Sequence, residues 1–576
     1  MKHPGNNREA KPQISNMSET LKRIGRYLLK RKGKLMLTMV MVALGSALAL
    51  AGPFLIGKAI DDYIASGNER GLLLLLAGLA LVYVSYSAVS FLQNYWMVEI
   101  AQRTVYELRD DLFRHFHTLP ISFFDKRRHG ELMSRVTNDI DNISSTLNSS
   151  IIQVASGLLT LTGSIVVMLY LSPLLTAVTL LIIPLMFGGM KWITSRTGPR
   201  FKEQQRHLGD LNGFIEEAIS SRHIVKMFSR EEDIIEEFME KNERLREAGY
   251  LAQAYSGFIP KLMNVLNNAG FAVIAFVGGV LALSGQATVG TIVIFTEYAR
   301  QFTRPLNDLA NQYNTMLSAV AGAERVFDIM DTDEAVDRKK GQTPLLSGEI
   351  VFDDVSFSYE EGKKTLSHVS FHALPGEMIA LIGPTGSGKT TIMNLLVRFY
   401  EPDGGKILFD GIDSREISGA ALRSQMGFVL QDTVLFEGTV MENIRYGRLN
   451  ATDEEVIEAA KQANAHSFIE RMPDGYDSML KQDGSGISQG QRQLLAIARA
   501  ILADPVLLIL DEATSSIDTI TELHIQEALG RLMKGRTSFV IAHRLNTIRR
   551  ADQVIRLKNG GIQAIGSYEE VVAAAR

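Results

Sequence analysis

The sequence predicts an all-α, six-helix transmembrane domain followed by an α/β domain. Three observations carry this. Charges are segregated along the 576 residues: no Asp, Glu, Lys or Arg occurs in 35–57, 71–98, 142–190 or 262–296, whereas from Glu324 onward they recur throughout. Those charge-free stretches are 23, 28, 49 and 35 residues long, and a span needs about 20 mostly apolar residues, so they hold one, one, two and two spans. Beyond about Thr332, short β-branched strands, Gly turns and amphipathic helices alternate, the pattern of an α/β domain. Averages conceal this division: 60 Lys plus Arg stand against 64 Asp plus Glu, a net charge of −4, with 46% apolar residues. The weakly acidic total argues against nucleic acid as a partner, since such domains are typically basic. The absence of Cys excludes disulfides, thiolate metal sites and a catalytic thiol.

The 49-residue stretch breaks at Leu171-Ser172-Pro173, because Pro is poorly tolerated inside a helix and well placed at its start. The 35-residue stretch breaks at Ser284-Gly285-Gln286-Ala287. Buried helices of a soluble core would need polar faces, and Leu72–Leu76 and Ile165–Tyr170 offer none. Orientation follows from loop charge. Lys22, Arg23, Arg26, Lys30, Arg31, Lys32 and Lys34 precede the first span, and the loops after the second and fourth spans add Arg103, Arg109, Arg114, Lys126, Arg127, Arg128, Arg200, Lys202, Arg206 and Arg222. By the positive-inside rule these segments and both termini are cytoplasmic, in a multi-pass protein of the inner (cytoplasmic) membrane. Ala47-Leu48-Ala49 resembles a signal-peptidase site, but its leader and apolar run are too long for a cleaved signal. Each of the two inner loops holds about 40 polar, helix-favouring residues, consistent with spans prolonged as helical arms ~30 Å into the cytoplasm. Lys191, Glu297, Arg300 and Arg304 are the ionisable residues nearest span interiors. They either line a polar pathway or snorkel to the interface.

In the second half the apolar strand Met378–Ile382 runs into Gly383-Pro384-Thr385-Gly386-Ser387-Gly388-Lys389-Thr390 and then a helix expected over Thr391–Val397. Strand, Gly-rich loop and helix in this order make a P-loop, so the fold class is an α/β P-loop NTPase. Its amides wrap the phosphates of ATP, Lys389 reaches the β and γ oxygens, and the Thr390 hydroxyl suits Mg²⁺. A second apolar strand, Val506–Leu510, ends in Asp511-Glu512, two carboxylates at the end of a parallel strand where α/β sheets bind ligands. Asp511 suits Mg²⁺ through water, and Glu512 suits the polarisation of an attacking water. A third strand, Ser538–Ala542, delivers His543 to the same edge as a donor for the γ-phosphate. Ile487-Ser488-Gln489-Gly490-Gln491 leads into a helix expected over Arg492–Leu502, and Ser488 is a natural N-cap beside first-turn amides that suit an anion.

In this order the motifs resemble those of an ATP-binding cassette exporter half-transporter over essentially all of residues 20–576. The resemblance implies that Tyr359 stacks on adenine, that Thr391 joins the P-loop contacts, that Gln431 is the Q-loop residue contacting Mg²⁺, and that Asp518 lies in the loop crossing a dimer interface. Phe123-Phe124-Asp125, Gly130-Glu131-Leu132 and Ser134-Arg135, with Val225-Lys226, Phe228 and Glu231, look like the family's intracellular loops, which carry coupling helices. One loop is then expected to dock on the same chain's ATPase and the other on the partner's. A departure stands at the signature, where the family has Leu-Ser-Gly-Gly-Gln and this chain has Gln489 in third place and Ile487 in first. Because two such domains close head to tail, Ser488, Gly490 and Gln491 complete the partner's site, and the departure resembles one half of a heterodimeric exporter; a homodimer tolerating the change is the alternative.

The expected division is an N-terminal segment 1–34, a membrane domain 35–320, a linker 321–345 and an ATPase domain 346–576. The expected activity is ATP-driven export of amphipathic, drug- or lipid-like molecules, with Glu512, His543 and Lys389 as catalytic residues. Lipid flipping, peptide export or an ATP-gated channel are the alternatives.

Overall fold

The computed structural model describes residues 16–334, 342–360, 362–430, 433–481, 486–511, 518–542 and 544–573. Gln431, Glu512 and His543, the loop residues Ser515-Ser516-Ile517 and the Arg304 side chain lie outside them. The chain forms two compact units, Met1–Arg114 with Gly130–Asp331, and His115–His129 with Thr332–Arg576.

The α-helices up to Asp331 are α1 (Met17–Leu29), α2 (Lys32–Lys58), α3 (Glu69–Phe116), α4 (Ile121–Asp125), α5 (His129–Ser134), α6 (Ile140–Leu171), α7 (Pro173–Ser220), α8 (Arg222–Met227), α9 (Glu231–Leu283) and α10 (Val289–Met330), with π-helical turns at Ala59–Ile64 and Arg135–Asp139. Hydrocarbon offers the backbone no hydrogen-bond partner, so apolar chain that crosses it folds as helix. Among the described residues, Lys32–Ile64, Glu69–Phe116, His129–Leu171 and Glu231–Leu283 are long and apolar enough to cross a membrane. The turns fall where the sequence breaks. Ser172 caps α7, its Oγ accepting from the Leu175 amide at 3.4 Å, and Pro173 opens the helix. Thr288 caps α10 in the same way. The arms are also present: α3 has 48 residues and α9 has 53, about 70–80 Å of helix at 1.5 Å per residue. Since the bilayer core takes only about 30 Å, more than half of each helix lies beyond it.

Small residues and a few polar groups fix how these helices meet. A Cβ on Gly57 would lie 2.7 Å from the Gly290 carbonyl, so α2 and α10 approach backbone to backbone. Just beyond, Asp61 accepts from the Gly290 amide at 2.8 Å and from the Thr288 hydroxyl at 2.5 Å, holding the first turn of α10. Fully buried Tyr298 donates to the Leu50 carbonyl at 2.7 Å, which satisfies the one polar atom on its ring. At the other end of α10, Asp139 is 4% exposed and lies between two guanidinium groups. Arg135 approaches it to 3.0 Å, and the Nε of Arg325 donates to it at 3.1 Å. Arg135 also pairs with Glu131 at 2.7 Å. Glu297 and Arg300 pair with each other on α10 at 3.6 Å, and Lys191 is exposed on α7.

In the second unit the strands are β1 (Ile350–Phe357), β2 (Leu366–Ala373), β3 (Met378–Ile382), β4 (Gly404–Phe409), β5 (Ile412–Asp413), β6 (Met426–Val429), β7 (Gly438–Thr439), β8 (Met479–Leu480), β9 (Leu507–Asp511), β10 (Thr537–Ile541), β11 (Gln553–Lys558) and β12 (Gly561–Gly566). They form a sheet β2-β1-β4-β5, a six-stranded sheet β12-β11-β3-β10-β9-β6 and the pair β7-β8. In the six-stranded sheet all neighbours are parallel except β11 and β12. Its central strands are buried along almost their whole length, as parallel strands covered on both faces must be. The loop tip His115–His129 belongs to this unit, and the Asp125 carboxylate accepts from the Tyr400 hydroxyl at 2.5 Å.

Removing one partner of a buried charge leaves that charge poorly compensated. Arg325→Ala is therefore expected to destabilise the membrane unit by about 2–3 kcal/mol, read as a lower thermal unfolding midpoint in detergent. Adding Asp139→Ala should restore part of the loss, and an unchanged midpoint in the single variant would refute the pairing.

Candidate active site

Register aligns the ends of four strands. Ile541 of β10 lies opposite Leu381 of β3 on one side and Asp511 of β9 on the other, while Val429 of β6 lies opposite Leu510. The C-terminal ends of β6, β9, β10 and β3 thus share one edge of the sheet, the edge at which open parallel sheets bind ligands. At it stands Asp511, and from it leave the chain toward Gln431, the chain toward His543, and the P-loop.

The P-loop is shaped by backbone that a side chain would obstruct. Gly383 has φ +150°, and a Cβ there would sit 2.4 Å from the Leu557 carbonyl. Gly388 has φ +105°, in the left-handed region, and a Cβ would sit 2.4 Å from Leu366 Cδ2. From Gly388 the chain enters the helix Lys389–Leu396, so this helix begins two residues before the expected Thr391 and ends at Leu396. Lys389 and Thr390 therefore stand in the first turn, where free amides face an anion. Lys389 folds back over the loop, its Nζ donating to the Gly383 carbonyl at 2.9 Å and the Pro384 carbonyl at 3.0 Å. Burial lowers the pKa of this ammonium, and the negative charge of Asp511 opposes the shift. The Ser387 hydroxyl is buried in the cradle without a hydrogen-bond partner, a polar atom left for a ligand. Pro384, Thr385, Gly386 and Thr390 are exposed, whereas Thr391 is 4% exposed and faces the domain.

Tyr359 packs edge-on in an aromatic trio, its ring 4.9 Å from Phe357 and 5.0 Å from Tyr400. Asn394, on the P-loop helix, donates to its hydroxyl at 3.0 Å. The structure thus ties the ring expected to stack on adenine to the helix that follows the phosphate loop. Tyr400 escaped the sequence reading because nothing in its local pattern marks a partner 275 residues away at Asp125. Burial, and then its bond to Asp125, raise the pKa of its phenol.

Ser488 is the N-cap expected of it. Its Oγ accepts from the Gln491 amide at 3.2 Å, and the Gln491 side chain accepts from the Ser488 amide at 2.9 Å. This capping box starts the helix at Gln489, three residues before the expected Arg492, and the helix runs to Ala503. Gln489 is half-buried in its first turn and Gly490 is buried. Asp518 also caps a helix, Thr519–Met533, accepting from the Thr521 amide at 2.8 Å, and that backbone bond holds its carboxyl below the usual range. β9 and β10 each lie one residue from their expected bounds, so Asp511 ends its strand. Gln431, Glu512 and His543 lie outside the described residues.

Residues 35–306 match the ABC transporter transmembrane region, and residues 366–515 match the ABC transporter domain. The ABC transporter ATP-binding protein YfiC of Bacillus subtilis (strain 168) is 60% identical over 96% of this chain and 92% of its own length. The chain belongs to the ABC transporter family. This ABC transporter is also 43% identical to the fatty acid ABC transporter ATP-binding/permease protein of Mycobacterium tuberculosis (strain CDC 1551 / Oshkosh), over 90% of this chain and 81% of that one. A solved bacterial Atm1-family ABC exporter with ATP bound has a TM-score of 0.75 and 29% identity, covering 95% of this chain and 97% of that chain. The chain is a membrane protein that binds nucleotide and couples ATP hydrolysis to transport, and exporters of this family work as dimers.

Gly388→Ala strains a left-handed residue and presses on Leu366, so it is expected to weaken binding of a fluorescent ATP analogue by about tenfold or more. Nucleotide affinity equal to the parent's would refute that reading of the loop.

Proposed function

We propose that this ABC transporter is one half of a dimeric exporter that drives amphipathic, drug- or lipid-like molecules out across the cytoplasmic membrane by alternating access. The observation that carries the proposal is the shared edge of β6, β9, β10 and β3, on a chain whose N-terminal half is long apolar helix. Six spans, cytoplasmic termini and the division 1–34, 35–320, 321–345 and 346–576 belong to this reading, supported by the loop charges and the two family matches.

In each site one chain's P-loop, Gly383–Thr391, holds the phosphates of ATP and Tyr359 flanks the base. Its unpartnered Ser387 hydroxyl, glycine cradle and folded-back lysine suit a polyphosphate. Thr390, Gln431 and Asp511 would hold Mg²⁺, a set fitting an ion that takes few protein ligands and completes its shell with phosphate and water. Mg²⁺ supplies charge neutralisation at the phosphates. Glu512 orients or activates the attacking water, and Lys389 and His543 stabilise phosphoryl charge. Ser488, Gly490 and Gln491, with Asp518 at the interface, complete the partner's site.

One feature supports a dimer and a second supports unlike halves. Ile224, Met227 and Phe228, at the tip of the second arm, are 59%, 77% and 69% exposed, apolar surface suited to a partner's ATPase domain. Gln489 puts a side chain where the family has Gly, so the partner's site receives a non-standard signature while this chain's P-loop stays intact. A heterodimer follows, with the homodimer as the competing arrangement. The fatty acid relative favours lipid-like cargo, which makes lipid flipping the second reading.

Glu512→Gln is expected to retain ATP binding and lower turnover by about a hundredfold or more, measured as phosphate release from reconstituted protein; ordinary turnover would remove Glu512 from this role. For the pairing, the chain is purified alone and with the half-transporter encoded beside it. Full ATPase activity and transport by the lone chain would refute the heterodimer.

A further inference from the structure

At the corner between α1 and α2, five cations meet two carboxylates. Glu99 of α3 takes Lys34 at 2.6 Å and Arg103 at 3.4 Å, and Glu107 takes Arg31 at 2.6 Å and Lys30 at 3.1 Å. Lys32 is exposed and makes no ion pair among the described residues. Arg31 keeps a further nitrogen, Nη1, buried without a hydrogen-bond partner. With Lys30, Arg31, Lys32, Lys34 and Arg103 against Glu99 and Glu107, the corner carries three surplus positive charges. They line an open hollow of about 250 Å³.

Its place along the helices gives the surplus a meaning. Lys34 immediately precedes the charge-free stretch 35–57, and Glu99 immediately follows the charge-free stretch 71–98. The Lys34–Glu99 pair brings these two ends together, so the hollow sits at a membrane boundary whichever way the chain is oriented. In the charge-free stretches that adjoin it, Met36 is 72% exposed, Tyr95 61% and Val98 48%. A site with cations at one end and exposed apolar side chains at the other matches a molecule that is itself a phosphate joined to acyl chains.

We propose that this hollow binds the phosphate-bearing headgroup of an anionic phospholipid, with the acyl chains lying along Met36, Tyr95 and Val98. Phosphate oxygens accept from Lys32, which no ion pair among the described residues engages, and from the N–H groups that Lys30 and Lys34 keep beyond their carboxylate partners. A zwitterionic lipid brings its own cation and gains less from the surplus. Free phosphate offers the same oxygens without the apolar complement.

The test uses the full-length transporter, delipidated in detergent and titrated in native mass spectrometry with phosphatidylglycerol, phosphatidylcholine or inorganic phosphate. Phosphatidylglycerol is expected to bind more tightly than phosphatidylcholine. Lys32→Ala should lower its affinity about fivefold and Lys32→Glu about thirtyfold, while Lys32→Arg keeps it. ATP turnover in phosphatidylcholine nanodiscs should be equal in all of these, since Lys32 lies outside the nucleotide machinery. Equal affinity for the two lipids, unchanged phosphatidylglycerol binding by Lys32→Glu, or displacement of the lipid by millimolar phosphate would each overturn the assignment.

Discussion

Parallel pairing in the central sheet is the constraint on which the chemistry rests. Neighbouring parallel strands end on the same side, so β6, β9, β10 and β3 reach one edge of the sheet together only while their register holds. That register depends on burial. Leu381, Leu508, Val540 and their neighbours are covered on both faces of the sheet, and a slip of one residue would exchange the faces of every side chain in the strand. The P-loop glycines, the helix opening at Lys389 and Asp511 gather at one edge because apolar packing fixes where each strand stops.

The membrane unit obeys a different rule. Charge is excluded from its spans, so the helices are told apart by size and by a few polar contacts rather than by patterned faces. Gly57 against Gly290 permits a close approach, Asp61 and Thr288 hold the end of α10, and Tyr298 reaches the Leu50 carbonyl. Where α10 leaves the apolar region, Asp139 gathers Arg135 and Arg325. A single helix is thus pinned at both ends by carboxylates from other segments, and motion of its ends requires breaking or exchanging those bonds.

The tip of the first arm packs with the nucleotide unit. Residues His115–His129 lie between membrane helices in sequence and pack within the nucleotide unit in space. Asp125 holds Tyr400, Tyr400 stacks edge-on with Tyr359, and Tyr359 is held by Asn394 on the P-loop helix. This chain of contacts, all within the nucleotide unit, joins the arm's tip to the P-loop helix.

The sequence by itself determined the two-part architecture, the breaks at Leu171–Pro173 and Ser284–Ala287, the arms, the P-loop and the strand leading to Asp511. Each depends on interactions local in the chain: apolar run length, a Pro or Ser at a helix start, glycines required by a tight loop. The early helix starts at Lys389 and Gln489 lay within the same local chemistry but needed the cap geometry to be seen. Only the tertiary structure decided that Asp125 meets Tyr400, that Arg325 is the second partner of Asp139, and that Lys30 to Lys34 face Glu99 and Glu107. Those pairs join residues far apart in sequence, and no periodicity or propensity records them. Charge attracts without regard to position along the chain, so which carboxylate a given arginine finds is settled by how the helices pack.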